Sequence, residues 1–167
     1  MPATLAKTAI QPLLMNGSLI LPMREKASST FVVGDLLAYT AGQVDIAGAD
    51  PAMIAGIAME DKTGTTNELV KVLIPRPGDL FRVMVYVDAT AANNPTAITQ
   101  LGVNYGTAKQ AAGKWGVDTG ETVAVIFSVI GLGADYFPND EAVGDYYGTL
   151  ICGFVPDIVK VTDTIAT

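Results

Sequence analysis

The chain has no histidine, one cysteine and one tryptophan in 167 residues. Without histidine there can be no Ser-His-Asp or Cys-His arrangement, no imidazole-ligated metal and no side chain whose ordinary pKa lies near neutrality. The single cysteine, Cys152, excludes an intrachain disulfide and a four-cysteine zinc site. Its neighbours in "GTLICGF" are apolar, which predicts a buried, inert thiol and suits a reducing compartment. Charge is scarce as well: 16% of residues are Asp, Glu, Lys or Arg, against about one quarter in ordinary soluble domains. The N-terminal stretch is apolar, but Pro12, Asn16, Gly17, Ser18 and Pro22 interrupt every run. No uncharged segment therefore approaches the roughly twenty apolar residues of a membrane span, and no secretory leader is expected. The Walker phosphate loop and the Gly-x-Gly-x-x-Gly dinucleotide turn are missing too.

The charge that is present is unevenly placed. Residues 1 to 117 balance nine acids against nine Lys and Arg, whereas residues 118 to 167 hold eight acids and Lys160 alone, so the whole net charge of −7 sits in the last third. Binding to a phosphate backbone draws on clustered Lys and Arg, so nucleic acid is not an expected partner.

What remains is β-rich. From Thr30 onward short β-branched and aromatic runs alternate with turns, and in "ELVKVLIP" the residues Val70, Val72 and Ile74 share one face. Strands are expected near 30–33, 36–40, 43–47, 53–59, 68–75, 80–87, 103–107, 114–118, 122–130, 146–155 and 158–162. One short helix is expected in "NNPTAITQLG", with Asn94 as N-cap, Pro95 at the first helical position and Gly102 ending it. The chain reads as all-β, a small barrel or sandwich with one short helix. Residues 1–29 form an extended N-terminal arm, and 30–167 form a single β-rich domain with an acidic extension from about residue 131. The arm carries Leu13, Leu14, Leu19, Ile20 and Leu21 between breakers, apolar side chains that need cover from the parent domain or from a partner.

Gly-Asp recurs three times just before bulky residues: Gly34-Asp35 in "VVGDLLAYT", Gly78-Asp79 in "RPGDLFRV" and Gly144-Asp145 in "AVGDYYGTL". Glycine takes positive φ without a Cβ clash and aspartate bonds nearby backbone N–H groups, so each pair is expected to be a tight turn delivering a strand. The acidic stretch "ADYFPNDEAVGD" offers Asp135, Asn139, Asp140, Glu141 and Asp145 as oxygen donors, but Pro138 and the spacing do not fit a twelve-residue calcium loop. A solvated loop is expected there, with no metal, no cofactor and no catalytic residue.

The order "FVVGDLLAYTAGQVDIAGADPAMIAGIAMED", "VKVLIPRPGDLFRVMVYVDA" and "NYGTAKQAAGKWGVDTGETVAVIFSVI" resembles that of tailed-phage head decoration proteins, also called capsid cement or stabilisation proteins. The resemblance covers roughly Thr30 to Gly131. It implies a structural, non-enzymatic protein that binds the outer surface of an assembled phage capsid in the virion, after assembly in the host cytoplasm. The major capsid protein would be its partner, and it would act as a homo-oligomer, with a trimer favoured. The longer N-terminal arm and the acidic segment past Gly131 depart from the smallest members. A free-standing β-barrel module for a ligand or glycan is the alternative reading.

Overall fold

A computed structural model of the chain describes residues 10–17, 19–156 and 158–159. Eleven strands are present among them: β1 (Gln11–Leu14), β2 (Leu19–Arg24), β3 (Leu36–Thr40), β4 (Gln43–Ile46), β5 (Gly56–Ala58), β6 (Leu69–Ile74), β7 (Leu80–Met84), β8 (Asn104–Ala111), β9 (Lys114–Asp118), β10 (Phe127–Leu132) and β11 (Thr149–Phe154). They form two antiparallel sheets. One has the order β1-β7-β11-β10-β8-β9, the other β2-β6-β5-β3-β4. The fold is mainly β and sandwich-like, and neither sheet closes into a barrel.

Each sheet does curl enough for single parallel bridges to form between distant strands. Glu25, just past β2, bridges Val44 of β4, and Val85, just past β7, bridges Val117 of β9. The first core lies between the sheets. Leu36, Ile57 and Leu73 from the five-stranded sheet meet Phe81, Val83, Trp115, Phe127, Val129 and Leu150 from the six-stranded one. A second core fills the other face of the five-stranded sheet, with Leu37, Val44, Val70, Val72 and Ile74 around Phe31. The period-two alternation of β6 thus divides its side chains between two cores, Leu73 in one and Val70, Val72 and Ile74 in the other. Burial of each such side chain contributes about 1.5–3 kcal/mol.

The helix expected over residues 94–102 does not form. A 3-10 turn, Ala91–Asn93, precedes that region and a second, Ile98–Gln100, lies within it. Asn94 is fully buried and its amide works backwards instead of capping forwards. Its Oδ1 accepts the Val87 N–H, and its Nδ2 donates to the carbonyls of Asp88 and Thr90. Pro95 lies in a bridge with Tyr146, which holds the chain extended where the helix would start. The one short α-helix among the described residues is α1 (Gly133–Tyr136), in a segment where no helix was expected. Residues 30–33 make only a bridge at Phe31, and residues 122–126 are irregular, with β10 beginning at Phe127. The expected strand over 158–162 is described only at Ile158 and Val159, and its remainder lies outside the described residues.

Candidate interaction surface

The three Gly-Asp pairs share one geometry. In each, Gly has φ near +90° (Gly34 +91°, Gly78 +93°, Gly144 +94°). In each the Asp N–H donates to the carbonyl three residues earlier: Asp35 to Val32, Asp79 to Arg76 and Asp145 to Ala142. The Asp carboxylate then accepts the N–H of that same residue, at 3.0, 2.7 and 2.9 Å respectively. This is a turn with glycine at the left-handed position, closed twice by its aspartate. Two of the carboxylates also tie in a remote segment. Asp35 Oδ1 accepts from the Gly113 N–H at 2.9 Å, from Trp115 Nε1 at 2.8 Å and from Lys109 Nζ at 3.1 Å. Asp79 Oδ1 accepts the N–H of Asn16, which fixes the connection between β1 and β2.

That connection decides where the apolar arm goes. The Asn16-Gly17 turn does not make a hairpin: β1 pairs with β7 in one sheet and β2 with β6 in the other, so the arm spans both. All four residues of β1 are exposed, Leu13 at 42% and Leu14 at 57%. In β2 the register sorts the side chains. Leu19, Leu21 and Met23 pair with Ile74, Val72 and Val70 on the face of the second core, and Leu21 and Met23 pack against it. Ile20, Pro22 and Arg24 pair with Leu73, Lys71 and Leu69 on the opposite face. There Ile20 and Leu69 remain 53% and 52% exposed. Apolar groups gathered at sheet edges in this way are a common mark of contact surfaces.

The acidic stretch is not wholly solvated. Glu141 is buried, where burial would push its carboxyl up, but bonds from Arg82 and from the N–H and hydroxyl of Thr149 outweigh that and hold it below the usual range. Arg82 pairs with Glu141, donates from Nε to Thr149 Oγ1 at 3.0 Å, and lies 3.9 Å from the centre of the Phe137 ring. This cluster straps the 133–148 segment onto β7 and β11. Asp135 and Asp140 are exposed, and Asp145 serves its turn. No group of three or more metal-ligating side chains occurs among the described residues. Cys152 is fully buried, and burial pushes its thiol far above the ordinary range.

Reading the sequence did not identify the Asp35–Trp115 link or the Arg82–Glu141–Thr149 strap. A spacing of 80 residues carries no local pattern, although an Asp after a turn glycine and a lone Trp are both residues that seek a buried partner. No protein-family model matches this chain, and no curated protein matches it.

Proposed function

We propose that this is a structural protein that binds the outer surface of an assembled phage capsid and stabilises it, in the manner of a head decoration protein. The observation that carries the reading is the pair of arm strands. β1 and β2 present exposed Leu13, Leu14 and Ile20 at the edges of two different sheets, on a frame stapled by buried aspartates. A rigid sandwich offering apolar groups in fixed positions binds without first ordering a loop, which lowers the cost of association. In this reading the partner is the major capsid protein, the protein works as a closed homo-oligomer, most simply a trimer at a local three-fold, and it carries out no catalysis.

The test mixes purified protein with shells stripped of surface proteins and follows co-sedimentation and the temperature at which the shells break. Saturable binding that raises that temperature, and that Leu13→Asp with Leu14→Asp removes while the melting of the free protein is unchanged, is the expected result. Binding to a soluble glycan with none to shells would instead favour a free-standing recognition module.

A further inference from the structure

Two surfaces of this molecule are complementary in charge, and both are apolar at their centres. The first is the face of the β2–β6 ladder that carries Leu73 into the core between the sheets; beyond Leu73 the register places Ile20, Pro22, Arg24, Leu69 and Lys71 side by side. All five are exposed, and Arg24 and Lys71 form no ion pair among the described residues. Two acids adjoin it and are both held by Lys62: Glu60, whose Oε1 accepts the backbone N–H of Lys71 and lies 3.8 Å from Lys62 Nζ, and Glu68, 3.0 Å from the same ammonium. The second surface is the 133–148 segment on the outer side of the six-stranded sheet. It exposes Tyr136 (57%), Val143 (48%) and Tyr146 (48%), and the Tyr136 ring lies against Gly131, next to the exposed Ile130. Asp135 and Asp140 stand exposed there without an ion pair among the described residues.

The imbalance around the second surface is not local chance. No Lys or Arg occurs from Asp118 to Val159, and Arg82, the cation beneath the segment, is taken up by Glu141. The surface is also preformed, since the Arg82–Glu141–Thr149 strap holds it, and the β2–β6 ladder is held by six residue pairs. Two rigid faces of opposite sign, each with apolar side chains that a partner would remove from water, fit one another better than either fits itself.

We infer that copies of this protein associate head to tail, the cationic β2–β6 face of one seated on the acid-rimmed 133–148 face of the next. The inference deepens the function proposed above by naming the contact that would close its ring. It commits to a heterologous contact, because a two-fold dimer through either face alone would set like charges against each other.

The experiment uses the full chain and reads mass by sedimentation velocity across protein concentration at low and high salt. Arg24→Glu with Lys71→Glu makes one variant, Asp135→Lys with Asp140→Lys a second, and all four changes a third, each checked for wild-type melting. Self-association of the wild type that weakens with salt, a loss of about tenfold or more in each two-site variant, and recovery on mixing the two or in the four-site variant are expected. A wild type that stays monomeric, or two-site variants that associate as well as wild type, would overturn it, as would failure of both the mixture and the four-site variant to recover. Shell co-sedimentation on the same samples separates the two readings. A monomer that still decorates shells sinks the head-to-tail contact alone, whereas salt-sensitive self-association with no shell binding supports the contact and removes the capsid reading.

Discussion

Trp115 Nε1 donates to Asp35 Oδ1 at 2.8 Å across 80 residues of sequence, and both side chains are almost fully buried. The bond joins the β8–β9 hairpin of one sheet to the turn that launches β3 in the other. The two backbones cross closely at the same point. A Cβ on Gly34 would lie 2.8 Å from the Gly113 carbonyl oxygen, so the turn and the hairpin tip fit only because both residues are glycine.

Replacing Asp35 with Ala should lower unfolding free energy by about 2–4 kcal/mol, because it strands the Val32 and Gly113 N–H groups and the Trp115 indole without their acceptor. Trp115→Phe leaves the carboxylate its other donors and should cost less. Chemical denaturation checks both, and equal midpoints for Asp35→Ala and wild type would refute the staple.

The three turn glycines should differ when each is changed to Ala, although their φ angles agree within a few degrees. Gly144 has open space around it, so Gly144→Ala carries only the backbone strain of about 1–2 kcal/mol. At Gly78 the nearest atom is the flexible amide of Asn16, at 3.0 Å, which can move aside. Gly34→Ala meets the fixed Gly113 backbone and should be the most damaging of the three, a ranking that thermal melting of the set would test.

Acid should unfold this protein through its paired carboxylates. Glu141 and Asp45 are both desolvated by burial, but their hydrogen-bonded partners, Arg82 with Thr149 and Lys26 with Ser29, hold each below its ordinary range. A group whose folded pKa is depressed stabilises the fold above its unfolded pKa of about 4, and that stability is lost as pH falls through the folded value. Lys62 shifts upward, chiefly through its bond to Glu68, so its contribution persists until pH rises past the ordinary lysine value. With no histidine in the chain, the melting temperature should be nearly flat between about pH 6 and 8 and should fall below about pH 4.5. Glu141→Gln should cost about 2–4 kcal/mol at neutral pH and flatten the acid limb, and an unchanged acid limb would count against the strap.

Truncation separates the two arm strands. Removing residues 1–15 deletes β1, whose side chains are all exposed, together with the buried Ile10 and the partly buried Met15 of the first core, and should leave a destabilised domain that still melts cooperatively. Removing residues 1–24 also deletes β2, unpairs one edge of β6 along its length and uncovers the second core around Val70 and Val72, so that protein should fail to melt cooperatively. Calorimetry on the two truncations distinguishes these outcomes.

Much of the architecture was legible locally, because strand alternation and turn chemistry are set by residues two or three apart. The alternation in "ELVKVLIP" marked β6, and Gly-Asp followed by bulky residues marked the starts of β3 and β7. The helix expected from Asn94 to Gly102 failed for a tertiary reason: the Asn94 amide found buried backbone partners at Val87, Asp88 and Thr90, which local capping preferences cannot anticipate. The acid-rich segment past Gly131 likewise gave no hint that β11 would lie between β7 and β10 inside the six-stranded sheet.

By itself, then, the sequence determined that the chain is β-rich, has no histidine chemistry or intrachain disulfide, and turns at its three Gly-Asp pairs, since these depend on composition and on bonds between near neighbours. Only the tertiary structure decided that the arm divides between two sheets, that β6 serves two cores at once, that Glu141 is buried against Arg82, and which apolar side chains stay in contact with water. Those outcomes depend on which distant strands meet, and strand pairing is settled by the joint burial of side chains far apart in the chain.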